Sequence, residues 1–204
     1  VPQPEKLADV FSYHICEVEG VEKKGDDTIF DINILPNRAH DLLSHQGVAK
    51  ELSSLLDIKY IDPTPKYKIP ESKKTNLNIK VESDKCRRYT GRIVRNVKVG
   101  PSPDWVKAHL ESIGQRSINN IVDAANIVMY DSGQPIHCFD LDKVSGSIII
   151  RNAKDSEQMT TLDNKQVKLN DLNMVIADEK NILALAGIKG GKVAEVSEAT
   201  KNKM

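Results

Sequence analysis

The sequence predicts an α+β fold: a small helix-strand-helix unit followed by a larger mixed α/β domain with several short strands. Three observations carry this prediction. Apolar residues recur at helical spacing in some segments and with a period of two in others, and the strand-like segments are short. A stretch rich in proline and lysine also separates two sets of amphipathic elements, each with its own core face.

In chain order, Pro4 precedes Leu7, Val10 and Phe11, whose i, i+3, i+4 spacing predicts a short amphipathic helix. From Thr28 to Leu35 the period drops to two, with Phe30, Ile32 and Ile34 on one face, which predicts a strand ending at Pro36. Val48, Leu52, Leu55 and Leu56 return to helical spacing, with Ser44 placed to cap the helix. These elements form the expected first unit, residues 1–58. Residues 59–76 hold Pro63, Pro65 and Pro70 among Lys66, Lys68, Lys73 and Lys74, a composition expected to form an extended connector, which leaves 77–204 as the second domain.

In that domain, Arg87–Val99 alternates Tyr89, Ile93, Val97 and Val99 against Arg88, Thr90, Arg92 and Lys98, predicting a strand with a basic outer face. Ser102 followed by Pro103 predicts a helix start with Ser102 as N-cap, a stripe of Trp105, Val106, Leu110 and Ile113, and a stop at Gly114. A further helix is expected over Ile118–Tyr130, ended by Gly133-Gln134-Pro135. Strands are expected at about 147–152, 173–178 and 181–186, with polar turns such as Leu162–Lys165 between strands.

Composition narrows the function. With 39% hydrophobic and 28% charged residues, and no long apolar run, the chain reads as a soluble globular protein without a membrane anchor. Lys+Arg and Asp+Glu both number 29, so the strongly basic surface of an autonomous nucleic-acid binder is missing and any RNA contact must be local. Cys16, Cys86 and Cys138 show neither zinc spacing nor an even number for a disulfide framework, which predicts a reducing, cytoplasmic setting. A start at Val1 and a polar end at Met204 read as a segment of a longer protein.

The densest run of unusual residues lies between Asn119 and Asp140. His137, after a Gly-Gln-Pro turn, has two readings: a ring presented to a pocket, where it can exchange a proton near neutral pH, or a ring bonded to a backbone carbonyl that pins the turn. Spacing favours the second. Cys138 lacks an orienting third group for a nucleophile, and Asp123 and Asp140 read better as caps than as an acid/base pair. Gly187-Ile188-Lys189-Gly190-Gly191 follows an apolar strand but lacks the spacing of a phosphate loop; a turn with positive φ and a ligand contact stand level as readings. Arg88, Arg92 and Lys98 read as a solvated face or as a contact to an RNA backbone, with the former favoured.

Taken in order, several motifs resemble one family. Asp31–Arg38 and Gly47–Leu52 resemble the first domain of the β subunit of bacterial phenylalanyl-tRNA synthetase. Its B3/B4 region is resembled by Arg88–Arg92, Ser102–Trp105, Asn119–Asp123, Gly133–Asp140 and Ala186–Gly191. The resemblance implies an enzyme of tRNA aminoacylation whose α subunit holds the ATP and phenylalanine site, with ATP and magnesium bound outside this chain and no cofactor within it. It implies tRNA-Phe and the α subunit as partners, no DNA, and hydrolysis of mischarged tyrosyl-tRNA by the B3/B4 region. Ala125, Asn126, His137 and Gly190 fall at positions that resemble the family's editing pocket; no catalytic residue is assigned among them. Two departures stand out: the family commonly has threonine where Ala125 stands, and its phenol-reading glutamate lies past Met204. The oligonucleotide-binding insertion of many members is missing between Glu17–Glu22 and Thr28. An alternative expectation is a non-catalytic module that binds tRNA or the partner subunit.

Overall fold

The computed structural model describes residues 2–66, 68, 70–71 and 73–202. It divides into two compact units: Val1–Glu71 with Ser102–Ile118 and Asp123–Pro135, and Ser72–Pro101 with Asn119–Val122 and Ile136–Met204. The fold is α+β.

The first unit opens with α1 (Pro4–His14), whose Phe11 is buried. Next comes an antiparallel hairpin of β1 (Val18–Lys24) and β2 (Asp27–Ile32), turned by Gly25 at φ +64°. A single strand was expected here. The ladder forms because a two-residue turn with glycine at its first position matches the twist of paired strands, even though β1 is mostly charged. After a short 3-10 turn come α2 (Ala39–Leu42) and α3 (His45–Leu55). Ser44 caps α3 as expected, its Oγ accepting the Gly47 N–H at 2.9 Å. Phe11, Cys16 and Leu42 form the core, with Ile32, Val48 and Leu52 packed around them.

Two of the motifs in this unit have structural jobs. The Arg38 guanidinium reaches Asp41 at 2.7 Å and Glu51 at 3.0 Å, and holds the Asp41 carboxyl below its usual range. Gly47 sits so close to α2 that a Cβ there would meet the Asp41 carbonyl oxygen at 1.7 Å. Of the expected connector, Thr64–Lys66 forms a 3-10 turn and its neighbours are irregular; Tyr67, Ile69 and Ser72 lie outside the described residues.

Also in this unit is α4 (Asp104–Ser112), and α5 (Asn120–Ser132) runs on from the second unit into it. Here two expectations are corrected. Ser102 does not cap α4, because its hydroxyl donates instead to the buried carboxylate of Asp123 at 2.5 Å. Trp105 does not join the core stripe; it is 65% exposed, while Val106 and Leu110 are buried. Asp123 accepts from Ser117 Oγ at 2.6 Å and the Ile118 N–H at 2.8 Å as well, so it ties both ends of α4 to α5.

The second unit is built on a five-stranded sheet in the order β3-β4-β7-β8-β9. Its strands are β3 (Ile79–Val81), β4 (Ile148–Asn152), β7 (Met174–Ala177), β8 (Ile182–Leu185) and β9 (Lys189–Gly190); a separate hairpin pairs β5 (Gln158–Thr160) with β6 (Gln166–Lys168). Among the described residues of this sheet, only the β3 and β4 pair is parallel. Ile148, Ile150, Ile176 and Leu183 make one buried face of the sheet, against Phe139. Val175, Ala177 and Ile182 make the other, against Met159 and Leu169.

The expected strand at Arg87–Val99 is corrected: the segment is irregular apart from one isolated bridge residue. Its alternation is nonetheless real, since Tyr89, Ile93 and Val97 are half-buried while Arg88, Thr90, Arg92 and Lys98 are exposed. No ladder forms along it. Asn96 adopts φ +56°, which breaks an extended run, and Val97 N–H turns to the Lys201 carbonyl.

Candidate functional site

His137 lies just after the α5 terminus, in a stretch that feeds into the core through Phe139. The two rings are parallel to within 3°, with centroids 6.1 Å apart, so the buried phenyl fixes the half-buried imidazole. Across the unit, β8 ends in a turn at Gly187, whose φ is +70°. The Gly187 N–H donates to His137 Nε2 at 3.1 Å.

That bond sets the state of the ring. An Nε2 that accepts an amide proton carries no proton itself, so Nδ1 bears it and the imidazole is neutral. Burial acts in the same direction and lowers the His137 pKa from its ordinary value. The expected bond to a carbonyl is thus corrected in polarity: His137 accepts from an amide, and the turn it pins is the glycine turn fifty residues on.

Beyond Gly187 the chain doubles back as β9, where Gly190 pairs with Ala184 and its carbonyl accepts the Leu162 N–H at 3.1 Å. A Cβ at Gly191 would lie 2.6 Å from the Leu183 carbonyl oxygen, and one at Gly190 2.8 Å from the tip of Leu162. Close backbone approach demands glycine at Gly191, at Gly190 only the mobile tip of Leu162 would have to give, and Gly187 is the one that needs a left-handed φ. Ala125 and Asn126 are half-buried on α5 in the first unit; His137 and Gly190 belong to the second. Each unit therefore holds two of the four candidate positions.

The neighbouring polar residues serve structure. Asn119 Oδ1 accepts from Ile121 N–H and Val122 N–H, both at 3.0 Å, and so caps α5. Asp140 caps the 3-10 turn at Leu141–Lys143 and accepts from Thr200 Oγ1 at 2.7 Å. Among the described residues no group of three or more His, Cys, Asp or Glu is placed to hold a metal ion, and no helix is long and apolar enough to cross a membrane.

A family description, the B3/4 domain, matches residues 85–204, more than half of the chain. The chain belongs to the B3/4 domain family. It is 43% identical over 183 residues to the phenylalanine–tRNA ligase β subunit of Fusobacterium nucleatum, covering 87% of this chain and 22% of that protein. It is 41% identical to the subunit of the same name in Rhodopirellula baltica, over 96% of this chain and 29% of the relative. Against the Protochlamydia amoebophila subunit the identity is 45%, over 86% and 22%. The chain thus spans less than a third of the length of these curated relatives.

The matched B3/4 segment contains the whole His137–Gly187 arrangement and the β8–β9 hairpin. Two features of this B3/4 chain escaped sequence reasoning. The Gly187 amide as partner of His137 has no local signal, because the residues are fifty positions apart. Ser102 and Ser117 as donors to Asp123 were equally hidden, since a serine before proline reads first as a cap.

Proposed function

We propose that this chain is the part of a phenylalanine–tRNA ligase β subunit that supports aminoacylation of tRNA-Phe and hydrolyses tyrosine wrongly attached to it. The observation that carries the proposal is the B3/4 domain match over residues 85–204, in a chain 41–45% identical to proteins named as that subunit. The partners would be the α subunit and tRNA-Phe, in the cytoplasm. ATP and magnesium would serve the aminoacylation step outside this chain.

In the proposed hydrolysis, a water oxygen attacks the carbonyl carbon of the aminoacyl ester. The bond from that carbon to the ribose oxygen breaks, the proton lost by water ends on the ribose hydroxyl, and free tyrosine leaves. His137 and Gly190, both in the second unit, are proposed to line the pocket. A neutral His137 that holds the Gly187 turn is a positioning residue: it fixes the hairpin carrying Gly190, and alignment of water and ester supplies the rate. Selection of tyrosine over phenylalanine would rest on pairing the phenol, since a site with buried polar groups is left unsatisfied by phenylalanine.

A second reading, a module that binds tRNA or the partner subunit without hydrolysis, is favoured by Ala125, which brings no hydroxyl, and by the occupied Nε2 of His137. Deacylation of tyrosyl-tRNA-Phe by the complete synthetase separates the two. On the editing proposal, His137→Ala slows deacylation roughly 100-fold, the scale of loss when a reacting group is misplaced by about 1 Å, while aminoacylation holds. No deacylation by the wild-type synthetase above the uncatalysed rate, with tRNA or subunit binding weakened by His137→Ala, would establish the second reading.

A further inference from the structure

Four of the seven arginines in the chain, Arg87, Arg88, Arg92 and Arg95, fall in one nine-residue stretch, flanked by Lys85 and Lys98. No Asp or Glu occurs from Lys85 through Pro103, although acids and bases balance over the whole chain. All six cations are exposed, and among the described residues none of them forms an ion pair. Arg38 and Arg151, by contrast, are each held by carboxylates.

The stretch is anchored from below. Cys86 and Tyr89 pack against the core of the second unit, and burial pushes the Tyr89 hydroxyl up to about 12, so this ring stays neutral and inward. Ile93 and Val97 are half-buried, the Val97 N–H is bonded to Lys201, and the Lys98 carbonyl accepts from Asn120 at 3.0 Å. With the apolar residues held in, the four arginines are exposed to water, while Lys85 Nζ donates to the Leu172 carbonyl at 3.2 Å. Concentrating like charge costs repulsion that no ion pair offsets among the described residues, and arginine is the residue whose planar fork matches phosphate.

We propose that the strap Lys85–Lys98 is a docking surface for the phosphate backbone of RNA. The choice of RNA over another polyanion rests on the proposed function, in which tRNA-Phe is the substrate; the charge argument stands without it. The contact is sequence-independent and governed by counterion release, so each phosphate neutralised contributes about −0.7 to −0.9 to the slope of log affinity against log salt. Four arginines then account for roughly a 50- to 150-fold loss of affinity between 50 and 200 mM KCl.

The test measures binding of a fluorescent tRNA-Phe transcript to the 204-residue chain across that salt range. Wild type is compared with Arg87→Gln/Arg88→Gln/Arg92→Gln/Arg95→Gln and with a control of equal charge loss on the same unit, Lys154→Gln/Lys165→Gln/Lys168→Gln/Lys180→Gln, each first shown to be folded by circular dichroism. The expected result is at least a tenfold loss at 50 mM KCl for the arginine variant, a salt slope shallower by about three, and a control within twofold of wild type. An arginine variant within twofold of wild type, or a control that loses as much, overturns the proposal. So does loss of α-subunit capture with tRNA binding intact, which would assign the strap to a protein partner. Tyrosyl-tRNA deacylation is scored separately: active editing with no strap effect sinks the surface alone, and a strap effect without editing sinks the proposed hydrolysis alone.

Discussion

Replacing Asp123 by alanine tests whether one buried carboxylate holds the α4–α5 corner together. Asp123 is fully buried and accepts hydrogen bonds from Ser102 Oγ, Ser117 Oγ and Ile118 N–H. In Asp123→Ala the Ser102 hydroxyl, itself buried, loses its acceptor at a cost of about 1–3 kcal/mol, whereas Ser117 and Ile118 are more open and recover part of their loss from water. Relief from burying a carboxylate offsets some of this. The net expectation is about 3 kcal/mol. Asp123→Asn keeps one acceptor oxygen but points an NH2 group at a donor, so about half that loss is expected. Trp105, the one tryptophan of the chain, sits on α4 in the same unit, and its fluorescence during urea unfolding reports that unit's transition. With a slope of about 1.5 kcal/mol per M, the Asp123→Ala midpoint falls by roughly 2 M. A midpoint shift equivalent to less than about 0.5 kcal/mol would refute the reasoning.

Other substitutions probe single contacts. Gly47→Ala drives a methyl into the Asp41 carbonyl, so a loss of about 2 kcal/mol or more in urea unfolding is expected despite a helix-propensity gain of up to about 1 kcal/mol. Thr200→Val removes both the donor to Asp140 and the acceptor for Ser197 N–H, for about 1–3 kcal/mol, while Thr200→Ser retains both bonds and should recover most of it. His137 has a folded pKa below its unfolded one, so as pH falls below about 6.5 the unfolded chain takes up the proton first. Its contribution is therefore full above about 6.5 and is lost as pH falls through the folded value. His137→Gln should narrow the stability difference between pH 7 and pH 5, and an unchanged difference would count against a neutral, amide-accepting ring.

Elements with both spacing and a terminus signal were legible in the sequence. The helix His45–Leu55 carried its cap at Ser44, and the strands Ile148–Asn152, Met174–Ala177 and Ile182–Leu185 carried short apolar runs. The β1–β2 hairpin was not legible, because β1 is Val-Glu-Gly-Val-Glu-Lys-Lys and buries almost nothing; its ladder is closed by the backbone and the Gly25 turn. At Arg87–Val99 the period of two was read correctly as burial and wrongly as pairing. Alternation reports which side faces a core, and a strand also needs a neighbour whose amides and carbonyls are free.

For the candidate site the limit was of another kind. Sequence singled out His137, but the role of a histidine is set by the partners of its two nitrogens, and those are decided by tertiary contacts. Here Phe139 fixes the ring plane, burial disfavours its charge, and Gly187 uses its Nε2 lone pair. A base must have that lone pair free at the moment water loses its proton, whereas a positioner must keep it engaged. The proposed hydrolysis therefore follows the second course, with the hairpin of Gly190 and Gly191 held in place by His137. On that argument deacylation by the complete synthetase should lack a His137-dependent limb near pH 6.5. A His137→Gln variant whose amide oxygen still accepts from Gly187 should retain more activity than His137→Ala, and equal loss in both would show that the imidazole does more than hold the turn.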